Sequence, residues 1–202
     1  MKSISGKNWE ELKSNKRLIE KVQIDHNFSE IQAKLIISRS FSDEEIYTIK
    51  NDINFRNPFI KTKDFLIGSA LLRKHINKKN KILIIGDYDV DGCVSTSLMV
   101  NFLRQNKVNV SYYIPDRLKD GYGANKDLII NLINNHKPQL IFFLDCGSSS
   151  HKIIDYINKQ NISSFIIDHH NVNRPFPLAN VFINPKKKTE YKNYDYLCTA
   201  FL

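Results

Sequence analysis

Aspartates follow three short apolar runs of the sequence, and each run is typical of a strand buried on both faces of a parallel sheet. The aspartates are Asp87, Asp145 and Asp168. In an open α/β sheet the carboxyl ends of the strands lie at one edge, where ligands bind. Three carboxylates there would repel one another unless a cation compensates their charge. The sequence therefore predicts a cation site at this edge, although any one of these aspartates alone is equally typical of a helix N-cap.

The segment after the first run is the richest in acids, with Asp87, Asp89 and Asp91 at alternate positions before Gly92. In extended backbone such residues project to the same side, so we expect the three carboxylates to converge on a hard divalent ion. The same pattern opens an EF-hand loop, but the twelfth position of that loop needs an acid and is Leu98 here. An EF-hand is therefore excluded, and three solvated acids in a turn are the remaining alternative.

Two adjacent histidines, His169 and His170, follow Asp168 directly. After a strand their rings point in different directions, so one can bind a metal while the other faces a substrate. Mixed histidine and aspartate ligands suit Mn²⁺, Zn²⁺ or Fe²⁺ as readily as Mg²⁺. The other four histidines are interpreted as surface residues or as internally hydrogen-bonded ones.

Less specific polar groups lie near the predicted carboxyl edge of the sheet. Ser148 follows Asp145 just before a predicted helix, where backbone N–H groups can bind an anion. Arg117 belongs to a glycine-containing loop at the same end of the sheet, and its guanidinium can bind a phosphate. An ordinary helix cap and a surface arginine in a turn are the alternative interpretations.

The elements that must position these residues begin at Lys81, where short apolar runs start to alternate with amphipathic segments. This alternation predicts an α/β fold with a doubly wound, mostly parallel sheet. The predicted strands are 82–86, 108–114, 140–144, 164–167 and 181–183, and the predicted helices between them are 94–105, 126–135 and 151–159.

Residues 1–80 are interpreted as a helical N-terminal segment, and 81–202 as the α/β domain. Ser29 and Ser42 each have Gln or Glu three residues later, which is the capping box that begins a helix. A further amphipathic helix is predicted over 65–76. The residues expected on its apolar side are Leu66, Ala70 and Leu71.

The composition is that of an ordinary globular protein, with 202 residues, 42% hydrophobic residues and a net charge of +9. No apolar run reaches the roughly 18–20 residues that span a bilayer, and we expect neither a membrane nor a secreted protein. The three cysteines lack a paired spacing, which favours the cytoplasm. The positive charge is weak evidence for a nucleic-acid partner, because 23 Lys and 22 Asn are typical of an AT-rich genome. Motifs for a phosphate-binding loop, a dinucleotide site or a serine esterase are absent from the sequence.

The segments Asp87–Gly92, Asp145–Gly147 and Asp168–His170 resemble the motifs of the DHH phosphoesterase superfamily. The resemblance is strongest to its RecJ branch, because Gly86 and Asp87 precede Asp89 where oligoribonuclease and pyrophosphatase relatives carry His-Gly-Asn-x-Asp. It runs from about residue 9 to the end of the chain.

This resemblance implies a metal-dependent phosphodiesterase of DNA repair and recombination that degrades single-stranded DNA from its 5′ end with two Mn²⁺ or Mg²⁺ ions. The implied metal ligands are Asp89, Asp91, Asp145 and His169. The implied catalytic residues are His170, at the scissile phosphate, and Asp87, as a ligand or as a residue that orients one. The implied substrate-binding residues are Arg117, Tyr122, Gly123 and Ser148. A single-strand-binding protein and a helicase are the implied protein partners of a monomeric enzyme.

Two features depart from the family pattern. In the family pattern the fourth motif, another metal-binding aspartate, lies beyond residue 202, and the segment before Phe201 lacks the usual glycine-rich stretch. We therefore expect either the first part of a longer enzyme, weak or inactive alone, or a chain whose end has diverged from the family pattern. The alternatives are a DHH phosphatase that acts on short oligoribonucleotides or nucleotide phosphates, and a DHH-like scaffold that binds without turnover. The intact acids argue against the scaffold, which has no need of a repulsive cluster.

Overall fold

The computed structural model describes residues 3, 5–8, 15–50, 59, 62–120, 125–187 and 194–202. The chain divides into two compact units, Met1–Arg56 and Asn57–Leu202. The domain boundary at residue 80 stays a prediction, and each unit is described by itself. Among the described residues, no helix has the length and apolar character needed to cross a bilayer.

The first unit contains helices α1 (Lys16–His26), α2 (Glu30–Ser38) and α3 (Asp43–Lys50). Both predicted capping boxes are confirmed. The backbone N–H groups of Ser29 and Ser42 donate to the side chains of Gln32 and Glu45, respectively. The backbone N–H groups of Gln32 and Glu45 donate back to the serine hydroxyls. The helices share a small apolar core. Its buried residues are Ile19, Val22, Phe28, Ala33, Ile36 and Ile46.

The second unit is built on one parallel sheet with the strand order β2-β1-β3-β4-β5, which confirms the predicted α/β fold. Its strands are β1 (Ile82–Gly86), β2 (Val110–Tyr113), β3 (Leu140–Leu144), β4 (Ser163–Ile167) and β5 (Val181–Ile183). Its helices are α4 (Lys63–Asn77), α5 (Val90–Gln105), α6 (Lys126–His136) and α7 (His151–Lys159), followed by 3₁₀ turns at Pro185–Lys187 and Thr199–Phe201.

Helices cover both faces of the sheet, as the continuous apolar strands require. Leu83 and Ile85 of β1 face one core, which also contains residues of α6 and α7. Ile82 and Ile84 face the other core, which contains residues of α4 and α5. The central strands β1 and β3 are therefore buried throughout.

Three sequence predictions about helices and strands need correction. Helix α5 begins at Val90, not at residue 94, because the side chain of Asp89 caps it. Strand β2 covers four residues, fewer than the predicted 108–114. Helix α4 packs through Phe65, Leu71, Leu72 and Ile76, whereas Leu66 and Ala70 are exposed. The predicted apolar side was therefore wrong for those two residues.

Candidate metal centre

The strand register places the predicted aspartates side by side. Gly86 of β1 is paired with Leu144 of β3, and Leu144 is paired with Ile167 of β4. The residues that directly follow these three strands therefore lie at one edge of the sheet, and they are Asp87, Asp145 and Asp168. All three are buried, with at most 3% of their surface exposed. Their convergence agrees with the argument from strand ends.

The segment after β1 brings its acids together by a different geometry from the one expected. It turns at once into α5, so that Asp89 is the N-cap and accepts a hydrogen bond from Gly92 N at 2.9 Å. Asp91 lies in the first helical turn, and the extended backbone predicted for this segment is wrong. Gly92 permits the turn, because a Cβ there would lie 2.4 Å from the backbone oxygen of Asp87.

Asp145 lies at the centre of the cluster and has no exposed surface. Its backbone is in the left-handed region, with φ at 62°, which Asp tolerates better than most residues. Oδ1 accepts a hydrogen bond from the Thr199 hydroxyl at 2.9 Å. Oδ2 has no hydrogen-bond partner in the part of the chain that the structure describes. A buried ionised carboxylate oxygen without a partner is costly, and either a proton or a bound cation would satisfy it.

Burial raises the pKa of Asp145 to about 8, and the nearby carboxylates of Asp91 and Asp89 also raise it, whereas the hydrogen bond from Thr199 lowers it. Burial also raises the pKa of Asp87. By contrast, the hydrogen bond from Gly92 lowers the pKa of Asp89. The upward shifts follow from burial and from neighbouring carboxylates, and a bound cation would reverse them.

Two groups of potential ligands overlap at Asp145. Asp87, Asp89 and Asp145 form one group, and Asp145, His169 and His170 form the other, with the ligand atoms of each group within 4.8 Å of one another. His169 Nε2 also lies 3.5 Å from Asp91 Oδ2 and 3.4 Å from Asp145 Oδ1. The donor set of carboxylate oxygens and imidazole nitrogens fits Mn²⁺ and Mg²⁺.

Asp168 does not belong to either ligand group and has a different task. Its carboxylate accepts hydrogen bonds from the backbone of Ser148, His169 and His170 and from His170 Nδ1, at 2.7–3.1 Å. Burial acts to raise the pKa of Asp168, but the hydrogen bonds from Ser148 and His170 outweigh it and hold that pKa below its usual value. Asp168 therefore stays ionised and fixes the loop that carries both histidines.

Ser148 lies behind this loop, where its polar groups have internal partners. Only 3% of its surface is exposed; its N–H donates to Asp168 and its hydroxyl accepts from Asn184 Nδ2. Asn184 also donates to the backbone oxygen of His170 at 3.0 Å. This arrangement argues against the predicted contact of Ser148 with substrate. Asn184 was not predicted, although its position directly after β5 is the same strand-end signal that revealed the aspartates.

The predicted substrate-binding loop is described only in part. The guanidinium of Arg117 lies 5.5 Å from the ring centroid of Tyr88, which stands between Asp87 and Asp89. The structure thus brings Arg117 to the rim of the acidic cluster. Tyr122 and Gly123 lie outside the described residues.

Comparison with known proteins gives one family match and a set of similar sequences. The model of the DHH family, N-terminal domain, matches residues 81–201. The single-stranded-DNA-specific exonuclease RecJ of Bacillus subtilis (strain 168) is 28% identical over 182 residues, which are 89% of this chain and 23% of the relative. The enzyme of the same name from Dickeya dadantii (strain 3937) is 34% identical over 116 residues, which are 57% of this chain and 20% of the relative. The chain thus spans about a quarter or less of these two relatives.

Two solved structures are also similar. RecJ from Thermus thermophilus in complex with Mn²⁺ matches 91% of this chain and 25% of that chain, with a TM-score of 0.66 and 19% identity, which supports the fold alone. An exonuclease RecJ bound to manganese matches 60% of this chain and 31% of that chain, with a TM-score of 0.56 and 25% identity.

Proposed function

The chain belongs to the DHH family, whose N-terminal domain it matches over residues 81–201, and from this membership we propose a function. The proposed function is that of a metal-dependent phosphodiesterase that degrades single-stranded DNA from its 5′ end. The chain resembles a part of the RecJ exonucleases and covers 23% and 20% of the length of two of them, so the activity of the whole relatives is a proposal for this protein.

One observation carries the proposal above all others. Four carboxylates and two imidazoles from the ends of β1, β3 and β4 converge, and one oxygen of the central Asp145 is buried without a hydrogen-bond partner among the described residues. A fold gains no stability from such an arrangement by itself. Divalent cations bound there would compensate the charge of the carboxylates.

The proposed ligands are Asp89, Asp91, Asp145 and His169, with Asp87 either as a further ligand or as a residue that orients one. Mn²⁺ or Mg²⁺ would supply the activation of a water and the neutralisation of charge on the reacting phosphate. His170 contributes a positioned imidazole, because Asp168 Oδ1 lies 2.8 Å from its Nδ1. With one proton on Nδ1 held by that ionised carboxylate, the proposed contact of His170 with the scissile phosphate is made by Nε2 of the doubly protonated imidazolium, which donates to a phosphate oxygen.

Single-stranded DNA is proposed as the substrate because the relatives that match most of this chain are named for that specificity. Arg117 is the residue proposed to bind a phosphate of the strand, since its guanidinium lies at the rim of the acidic cluster. We also propose that the protein acts as a monomer in the cytoplasm, in DNA repair and recombination, with a single-strand-binding protein and a helicase as partners.

The proposal is tested with the 202-residue chain and 5′-labelled single-stranded DNA, in Mn²⁺, in Mg²⁺ and in chelator. We expect weak release of labelled mononucleotide that requires the metal and is lost in Asp89→Asn. Asp155→Asn in α7 is the matched control, because that acid lies outside both ligand groups and should leave the release unchanged. Absence of any metal-dependent release by a chain that binds Mn²⁺ would contradict the proposed activity.

The substrate comparison decides between the alternatives. Faster cleavage of dinucleotides than of long single-stranded DNA would replace the proposal by an oligoribonuclease or nucleotide phosphatase. Calorimetry with Mn²⁺ tests the scaffold: no binding by the wild-type protein, and no further loss in Asp89→Asn, would favour a domain that binds partners without turnover.

A further inference from the structure

Thr199 connects two of the proposed metal ligands, and neither its type nor its spacing predicted a role. It belongs to the 3₁₀ turn Thr199–Phe201 and has only 3% of its surface exposed. Its hydroxyl donates to Asp145 Oδ1 at 2.9 Å, and its backbone N–H donates to Asp91 Oδ2 at 2.7 Å. The next N–H, of Ala200, donates to Asp91 Oδ1 at 2.8 Å. One turn of backbone therefore holds two carboxylates from different elements.

The hydroxyl makes the two oxygens of Asp145 unequal. Oδ1 has a donor in Thr199 and lies 3.4 Å from His169 Nε2, while Oδ2 is buried and has no partner among the described residues. A carboxylate held by one oxygen presents the other in a fixed direction, as the hydrogen-bonded acids around metal sites do. Oδ2 is thus the oxygen that the fold leaves for a cation.

Asp91 is held in the same way but by main-chain groups. Because both of its oxygens accept from backbone N–H groups, a side-chain change at Thr199 leaves those two bonds in place. The hydroxyl of Thr199 can therefore be removed without removing the support of Asp91. This separation makes the role of the hydroxyl measurable.

We propose that Thr199 is a positioning residue of the metal centre, whose hydroxyl orients Asp145 so that Oδ2 faces the cation. The inference rests on the proposed metal-dependent function. It goes further in assigning Thr199 to that centre and in stating which oxygen of Asp145 binds the cation. A purely structural role, in which the hydroxyl only ties the turn to the domain, predicts a loss of thermal stability without a specific loss of metal affinity.

The test compares three substitutions in the full chain. Thr199→Val removes the hydroxyl and keeps the shape, Thr199→Ala removes the hydroxyl together with the methyl group, and Thr199→Ser keeps the hydroxyl as the matched control. Mn²⁺ affinity is measured by calorimetry and by the electron paramagnetic resonance signal of free Mn²⁺, and the unfolding midpoint is measured without metal.

The expected result is a loss of about 10-fold or more in Mn²⁺ affinity for Val and Ala, the range seen when a partner of a metal ligand is removed, and a change of less than about threefold for Ser. Mn²⁺ binding by the Val variant within about twofold of wild type would overturn the proposal, and the Ala variant decides if Val does not fold. Failure of the wild-type chain to bind Mn²⁺ would also overturn it. If Mn²⁺ binds but DNA is not cleaved, the proposed function fails and the affinity series still decides the role of Thr199.

Discussion

The raised pKa of Asp145 predicts that metal binding expels a proton from the protein. A cation binds the ionised carboxylate, so a group that is protonated without metal must lose its proton as the metal enters. With a pKa of about 8, Asp145 is about nine-tenths protonated at pH 7 and about one-quarter protonated at pH 8.5. The apparent Mn²⁺ affinity should therefore rise with pH over this window, by about eightfold between pH 7 and pH 8.5.

Calorimetry in two buffers with different ionisation enthalpies measures both quantities at once. We expect about 0.9 proton released per site at pH 7 and about 0.2 at pH 8.5. Asp155→Asn in α7 is the control, because that acid lies outside both ligand groups and the variant should keep the pH dependence of the wild-type affinity. An affinity that is constant over this window, with less than about 0.3 proton released at pH 7, would refute the reasoning.

The raised pKa of Asp145 also makes the stability of the metal-free domain depend on pH. A carboxyl whose folded-state pKa lies above its unfolded value binds more protons in the folded state, so its contribution is present at low pH and is lost as the pH rises through about 8. Without metal, the contribution of Asp145 to the free energy of unfolding should therefore be smaller at pH 8.5 than at pH 6. Added Mn²⁺ should raise the unfolding midpoint more at pH 8.5, because it then binds without displacing a proton.

Three further outcomes concern other parts of the site. Asp168→Asn should lower the free energy of unfolding by about 2–4 kcal/mol in urea titrations. One of the N–H groups that donate to Asp168 would then face the amide N–H of Asn, and the other N–H groups would lose a charged acceptor. A loss below about 1 kcal/mol contradicts this role. Gly92→Ala should abolish Mn²⁺ binding, because its Cβ would lie 2.4 Å from the backbone oxygen of Asp87. Val90→Ala changes an exposed residue in the same helical turn and should change stability by less than about 0.5 kcal/mol. Arg117→Ala should raise KM for single-stranded DNA and leave the Mn²⁺ affinity unchanged, with Arg104→Ala as the control; equal effects of the two substitutions would remove Arg117 from the proposed DNA contact.

The fold was predictable because its strands are continuous apolar runs, which are typical of strands covered on both faces of a sheet. Ile82–Gly86 and Leu140–Leu144 were identified with their observed bounds for this reason. The start of α5 was not, because a run of alternate aspartates has the same spacing in an extended segment and in a strand-to-helix turn. The choice between these two conformations depends on the helix cap at Asp89 and on the close approach of Gly92 to the backbone of Asp87. Neither feature is visible in the spacing of the acids.

The acids and histidines of the site were predictable because their positions follow from the strand ends. The residues that support them were not. Thr199 lies 54 residues from Asp145 and 108 from Asp91, and no local pattern connects them. Ser148 was assigned to an anion site because a serine before a helix often serves there, and its burial against Asp168 depends on how the two loops pack.

The wide sequence separation of these contacts has a consequence for how the protein reaches its native state. The cluster draws on the chain from Asp87 to Thr199, so it does not exist until the parallel sheet and the final turn are both in place. Parallel pairings of this kind form slowly, because the entropy of long loops must be lost first. Mn²⁺ therefore has no complete site in a half-folded chain, and we expect it to slow unfolding with little effect on the rate of folding. Uptake of the metal would then mark the last event of folding, and its rate would report when that event occurs.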